Sequence, residues 1–241
     1  MELKICHMYP EILNLYGDRG NILCMSRRLQ WRGIDCSISR LPIGEQARLS
    51  EFDIIYIGGG QDFDRRALLE DLNRGRKQEI KAAAEDGVSL LTVCGGYQLL
   101  GHSYKDYDGK SFDYVGLLDM HTVCRKERMT GDYKFVCEPS ASGSVVVGFE
   151  NHSGKTYLGS GLQPLGKVLA GHGNNGEDGT EGAHWKNVYG TYSHGPVLPK
   201  NPEFCDYILR CALERRYGRV ELAPLDDEAE RLAHDSMCSR L

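Results

Sequence analysis

No apolar run in this chain approaches the roughly 18 residues that a membrane-crossing helix requires, and the first residues lack the basic-then-apolar order of a secretory signal. A cytoplasmic protein with no direct membrane insertion is the expectation. Basic charge is also in short supply: 29 Lys and Arg against 34 Asp and Glu leave a net charge of -5, which gives no general electrostatic reason to bind nucleic acid or an anionic surface. Cysteine is plentiful but unorganised, with nine residues, an odd count, and no Cys-x-x-Cys pair. Neither a disulfide framework nor a zinc site is indicated, and no metal is expected. Repeats, low-complexity tracts and a recognisable interdomain linker are missing as well.

What is present is enough for a real core: 241 residues, 41% hydrophobic and 26% charged, suit one large domain with a modest appendage. Leu3 to Met8 reads as a strand, Asp18 to Trp31 as a helix closed by Gly33, and Ile34 to Ile38 as a second strand. The compact apolar run from Asp53 to Ile57 fits a buried parallel strand, and Gly58-Gly59-Gly60 stops it. Arg66 to Glu85 has helical period, Gly87 ends it, and Val88 to Val93 is again an apolar strand. This alternation predicts βαβ units and a mostly parallel sheet. Residues 103 to 190 are richer in Gly, Asn, Ser and Asp, with short β-like pieces at Ser144 to Phe149, Lys167 to Leu169 and Val188 to Tyr192; antiparallel strands and loops at the sheet's edge are expected there. A helix near Glu203 to Tyr217 precedes a charged tail, giving a domain over 1–215 and a tail over 216–241 whose expected state is a solvated end.

Cys94 stands where a strand turns into the helical segment that starts at Tyr97, and this places its sulfur at the outer face of a tight turn. Gly95 and Gly96 leave room for a substrate, and the Gly95 N–H can point at a developing oxyanion. A cysteine that attacks an amide needs a base that returns as an acid, which near neutral pH means histidine. Among eight histidines, His194 follows the strand Val188 to Thr191 and can share a sheet edge with Cys94; His152, His172 and His184 lie in loop-like stretches and read as surface residues. Gly58-Gly59-Gly60-Gln61-Asp62 also follows a strand, and the Gly60 N–H is a second candidate oxyanion donor. The loop lacks the Lys-Ser/Thr of a phosphate-binding loop and the spacing of a dinucleotide fingerprint.

These three segments, Gly58-Gly59-Gly60-Gln61-Asp62, Val93-Cys94-Gly95-Gly96-Tyr97-Gln98 and Tyr192-Ser193-His194-Gly195-Pro196, resemble those of class I glutamine amidotransferases of the cobyric acid synthase-like branch. The resemblance runs to about residue 215 and implies a flavodoxin-like α/β three-layer sandwich, a mostly parallel sheet with antiparallel edge strands, and hydrolysis of L-glutamine at Cys94 and His194. The opening Tyr9-Pro10-Glu11-Ile12-Leu13-Asn14-Leu15-Tyr16-Gly17-Asp18-Arg19-Gly20-Asn21 is similar to the glutamine-hydrolysing subunits of lipid II isoglutaminyl synthases. That likeness implies a Mur ligase-like, ATP-dependent partner (MurT-like) that uses the ammonia to convert D-glutamate of the stem peptide to D-isoglutamine. By the same resemblance Arg128 is the arginine that binds substrate glutamine, and no cofactor is needed in this chain, ATP belonging to the partner.

One departure stands out. Many class I amidotransferases read His-x-Glu, whereas this chain reads His194-Gly195-Pro196. Either a Cys–His dyad operates or a carboxylate arrives from elsewhere, and the partner subunit is the favoured source. Two other readings stay open: ammonia supply for cobyrinate-type side-chain amidation, and a non-catalytic regulatory subunit of the same fold.

Overall fold

Strand β1 (Glu2–Met8) sends Cys6 and Met8 into one core and Leu3 and Ile5 into another, because alternate side chains leave opposite faces of a strand. The same division holds for β3 (Ile54–Ile57), whose four residues are all buried, Ile55 and Ile57 on one side, Ile54 and Tyr56 on the other. A strand covered on both faces has to be apolar at successive positions, which is why this run reads as a block rather than an alternation. The computed structural model describes residues 1–60, 65–138 and 143–241. Its principal sheet has the order β11-β12-β4-β3-β1-β2, built with β2 (Asp35–Leu41), β4 (Ser89–Val93), β11 (Ala183–Trp185) and β12 (Val188–Thr191). All neighbours are parallel except the edge pair β11 and β12.

Helices complete a three-layer sandwich. On one face lie α2 (Arg65–Asp71) and α3 (Lys77–Glu85), which contribute Leu68, Ile80, Ala83 and Ala84; on the other lie α1 (Gly20–Gln30) and α5 (Pro202–Tyr217), with Ile22, Met25, Leu29, Phe204, Ile208 and Leu209. The continuous helix expected from Arg66 to Glu85 is broken at residues 72–76, where Gly75 has φ 107°, a left-handed conformation that glycine tolerates. The short helix α4 (Gly95–Leu99) caps β4. Among the described residues, no helix is long and apolar enough to cross a membrane.

The second half departs from the sequence expectation in scale. Instead of edge strands alone, it builds a separate sheet from β5 (Ser103–Lys105), β6 (Ser111–Asp113), β7 (Met120–Cys137), β8 (Val145–Leu158), β9 (Gly166–Ala170) and β10 (Thr180–Glu181). The expected piece at Val188 to Tyr192 belongs to the parallel sheet, where β12 pairs with β4. β7 escapes a sequence reading because its buried positions alternate with His, Arg, Lys and Glu, and the alternation fails at Arg125 to Arg128, all four exposed.

The tail is also more structured than a solvated end. Arg28 of α1, almost fully buried, holds both oxygens of Asp206 on α5 at 2.7 and 2.8 Å and both oxygens of Asp227 at 2.6 and 2.9 Å. Helix α6 (Glu228–Cys238) follows; His234 Nδ1 lies 3.0 Å from the Lys200 carbonyl, and Lys134 Nζ donates to the Cys238 carbonyl at 3.0 Å. Removing one partner of a buried ion pair strands the other charge. Asp206→Ala, which leaves Arg28 with Asp227 alone and releases Arg32 from its 2.5 Å pair, is expected to lower the unfolding free energy from a urea titration by about 3 kcal/mol. Asp227→Ala leaves the Arg28–Asp206 pair intact and should cost less in the same titration.

Candidate active site

Because β1, β3, β4 and β12 are parallel, their carboxyl ends emerge at one edge, where Met8 pairs with Ile57, Ile57 with Thr92 and Thr191 with Val93. The residue after β4 is Cys94, at φ 49° and ψ -106°, a conformation strained for any residue with a side chain. Its N–H donates to the Thr191 carbonyl at 2.8 Å and its carbonyl accepts from the Gln98 N–H at 2.9 Å, so both flanks of the turn are pinned. Gly96 allows the turn to sit against the neighbouring strand end: a Cβ there would meet the Ile57 and Gly58 carbonyl oxygens at 2.5 and 2.8 Å. This is the strained elbow that exposes a nucleophile.

His194 follows β12 in a turn anchored to β8 by two backbone hydrogen bonds with Phe149, at 2.8 and 3.2 Å. Its Nδ1 lies 3.2 Å from each carboxylate oxygen of Asp18, a residue with no exposed surface. The Gly59 N–H donates to Asp18 Oδ2 at 2.8 Å and fixes the carboxylate. The sequence leaves the third member open, with the partner subunit favoured; the structure sets Asp18, a carboxylate from the chain's own opening segment, against the imidazole. A Cβ at Gly59 would lie 2.5 Å from His194 Cε1, 3.1 Å from Asp18 Oδ2 and 3.4 Å from Cys94 Cβ, so the three side chains surround one point that only glycine can occupy.

The electrostatics follow from that enclosure. Burial favours a neutral His194, but the negative charges of Cys94 and Asp18 outweigh it and raise the imidazole from 6.5 to about 10. Nε2, the nitrogen opposite the one facing Asp18, is buried and makes no hydrogen bond of ordinary geometry among the described residues. It is the ring atom left for proton transfer.

A cavity of about 790 Å³ opens over this group, lined by Gly60, Cys94, His194, Tyr16, Gln98 and Arg128 among others. The Gly60 nitrogen is 3.2 Å from the position a Gly95 Cβ would take, which brings the two candidate oxyanion donors side by side. Gly95 opens α4, so its N–H has no partner within the helix. Arg128 stands on β7 at the cavity rim, while Gln61 and Asp62 lie outside the described residues.

Of the histidines read as surface residues, His152 is buried on β8 and lines the cavity, stacked on Tyr192 at 3.5 Å, and His184 is half-buried on β11. His172 is half-exposed, with its Nδ1 2.8 Å from Glu150. Sequence reasoning missed Asp18, Tyr16, Gln98 and Asn151. Tyr16, Gln98 and Asn151 line the cavity, and Gln98 Nε2 donates to the Tyr192 hydroxyl at 3.0 Å. The available signal was an aspartate between Gly17 and Gly20 inside a segment that already carried a family likeness.

Known proteins resemble this chain in sequence and in fold. The chain is 43% identical to the GatD subunit of the glutamine-hydrolysing lipid II isoglutaminyl synthase of Staphylococcus aureus (strain N315), over 99% of this chain and 96% of that one. It is 35% identical to the corresponding GatD subunit of Streptococcus pneumoniae (strain ATCC BAA-255 / R6), over 94% and 86%. A cobyric acid synthase of Listeria monocytogenes (strain ATCC BAA-679 / EGD-e) is 34% identical over 67% of this chain but only 32% of its own length. Among solved structures, PurLQS from Thermotoga maritima shares the fold with a TM-score of 0.58 at 15% identity, covering 89% of this chain and 99% of that chain. Residues 4–202 match the family model of the CobB/CobQ-like glutamine amidotransferase domain, and the chain belongs to that family.

Proposed function

We propose that this chain is the glutaminase subunit of a lipid II isoglutaminyl synthase, hydrolysing L-glutamine through a Cys94 thioester and passing ammonia to a Mur ligase-like, ATP-dependent partner (MurT-like). The observation that carries the chemistry is Cys94 in its strained elbow beside a His194–Asp18 pair. The Cys94 sulfur attacks the side-chain carbonyl carbon of glutamine, and the charge that moves onto oxygen is met by the Gly60 and Gly95 N–H groups. Each such donor is worth on the order of 3 kcal/mol in comparable acyl-transfer sites. His194 Nε2 gives its proton to the departing nitrogen, the C–N bond breaks, and ammonia leaves with the thioester formed. His194 then takes a proton from water as it attacks the thioester, which releases glutamate and restores the cysteine. Asp18 holds the imidazole in one orientation and stabilises its charged form throughout.

Arg128 takes the α-carboxylate of glutamine in this reading. The acceptor is the D-glutamate of lipid II, which becomes D-isoglutamine in peptidoglycan synthesis, and ATP is consumed on the partner. A nearly full-length match to the isoglutaminyl synthase subunits, against a partial match to the larger cobyric acid synthases, favours this acceptor over a cobyrinate side chain. Glutamine, lipid II and ATP supplied to the chain together with its partner should yield D-isoglutamine detectable by mass spectrometry; no amidated lipid II despite glutamate release would exclude this acceptor.

Glutamate release from L-glutamine should vanish in Cys94→Ala and fall to near background in His194→Ala. Asp18→Asn should lower kcat by roughly 10²- to 10⁴-fold, the range seen when the orienting carboxylate of a triad loses its charge. Removing the Asp18 charge also withdraws one of the contributions that hold the imidazole at about 10 against burial. The alkaline limb of the pH–kcat profile should therefore move to lower pH in Asp18→Asn, and an unmoved limb would show that Asp18 does not act through His194.

A further inference from the structure

Strand β7 loses register with β8 between Cys124, which lies opposite Gly154, and Met129, opposite His152, so the residues between them arch out of the ladder. A bulge of this kind re-aims the side chains it carries. Arg128 is its last residue, exposed at the cavity rim, yet its guanidinium is not loose: Nε donates to Asn151 Oδ1. Asn151, on β8, donates in turn from Nδ2 to the Tyr16 hydroxyl at 2.7 Å. The Tyr16 ring stands edge-on to the His194 imidazole, centroids 4.9 Å apart at 64°, with Phe149 at 6.1 Å.

Two features show that this chain of contacts is built rather than incidental. Tyr16 sits at φ 54° and ψ 27°, a left-handed conformation that costs a bulky residue about 1 kcal/mol or more, so the fold holds the ring over His194 against its backbone preference. The amide of Asn151 is used at both ends, its oxygen toward Arg128 and its nitrogen toward Tyr16. Among the described residues no hydrogen bond or ion pair engages Nη1 or Nη2 of Arg128. A guanidinium anchored through Nε keeps its two terminal nitrogens for a planar fork on a carboxylate.

We propose that Tyr16 and Asn151 are positioning residues that aim the Arg128 fork at the α-carboxylate of glutamine and register it with the imidazole at the reacting end. This inference rests on the glutamine reading above. Tyr16 touches both halves of the site through one side chain, its hydroxyl serving the head of the substrate and its ring the proton-transfer group.

The test uses the full chain with its partner and three readouts on Asn151→Ala and Tyr16→Phe: glutamine kinetics, inactivation by the diazo-ketone analogue of L-glutamine, and alkylation of Cys94 by iodoacetamide, which has no amino-acid head. Asn151→Ala should raise KM for glutamine by about tenfold, the loss expected of one hydrogen bond to a charged group, and Tyr16→Phe, which removes a neutral bond, by about threefold. Inactivation by the analogue should slow in parallel, while kcat and iodoacetamide alkylation stay as in the wild type. Unchanged KM in both variants overturns the inference, and so does iodoacetamide alkylation that slows together with the analogue, since the defect would then lie at Cys94. A wild type that neither hydrolyses glutamine nor reacts with the analogue overturns the glutamine reading and this inference with it; a reactive wild type with unaffected variants overturns the inference alone.

Discussion

The Asp18 carboxylate has no exposed surface, and a buried charge survives folding only where donors and an opposite charge surround it. Its surroundings come from three separate strand ends: its own segment after β1, the Gly59 N–H after β3, and His194 after β12. Cys94 after β4 completes the ring of contacts through the space that Gly59 leaves open. The carboxyl edge of the sheet is thus tied together by one ionic junction. Pro196, two residues beyond His194, packs on Gly20 at the start of α1, where a Cβ would come within 2.5 Å of it, so the same junction sets how closely the histidine turn approaches the opening segment.

Much of this arrangement is written locally in the chain. Block-apolar strands, glycine stops and the cysteine elbow depend on near neighbours, and such signals are readable: β1, β3 and β4 fall within a residue or two of their expected spans, as does α5. Cys94 and His194 could be paired because parallel strands put their carboxyl ends together, a rule of topology rather than of contact. Asp18 could not be found this way. Its partner is 176 residues further along the chain, and an aspartate ahead of a helix reads equally well as a cap or a turn residue. His194-Gly195-Pro196 carries no carboxylate of its own, and the one that faces the imidazole reaches it across the sheet edge rather than along the sequence.

The second sheet was hidden for a different reason. β7 exposes His121, Arg125 to Arg128, Thr130 and Asp132, so its sequence carries charge where a core strand would carry valine, and its ladder with β8 is broken by a bulge. That irregularity is where Arg128 sits. A regular hairpin would have been easier to recognise from alternation and less able to turn an arginine toward the cavity, so the loss of legibility and the placement of the side chain have one cause.

The ionisable groups around the histidine turn share a sign. Glu181, wholly buried, accepts from the Thr191 hydroxyl at 2.6 Å and the Tyr192 N–H at 2.9 Å and so braces the two residues that lead into the turn; burial raises its carboxyl from 4.5 to about 7. Between those values the folded chain keeps a proton that the unfolded chain has released, so this brace loses stability as pH rises through that window. His194 behaves likewise one step higher: its folded value of about 10 lies above 6.5, and the stability from its charged form is present below 6.5 and lost as pH climbs to about 10. The folded state therefore holds excess protons at one turn over most of that range, with Glu181 bracing the residues that enter it and His194 standing in it.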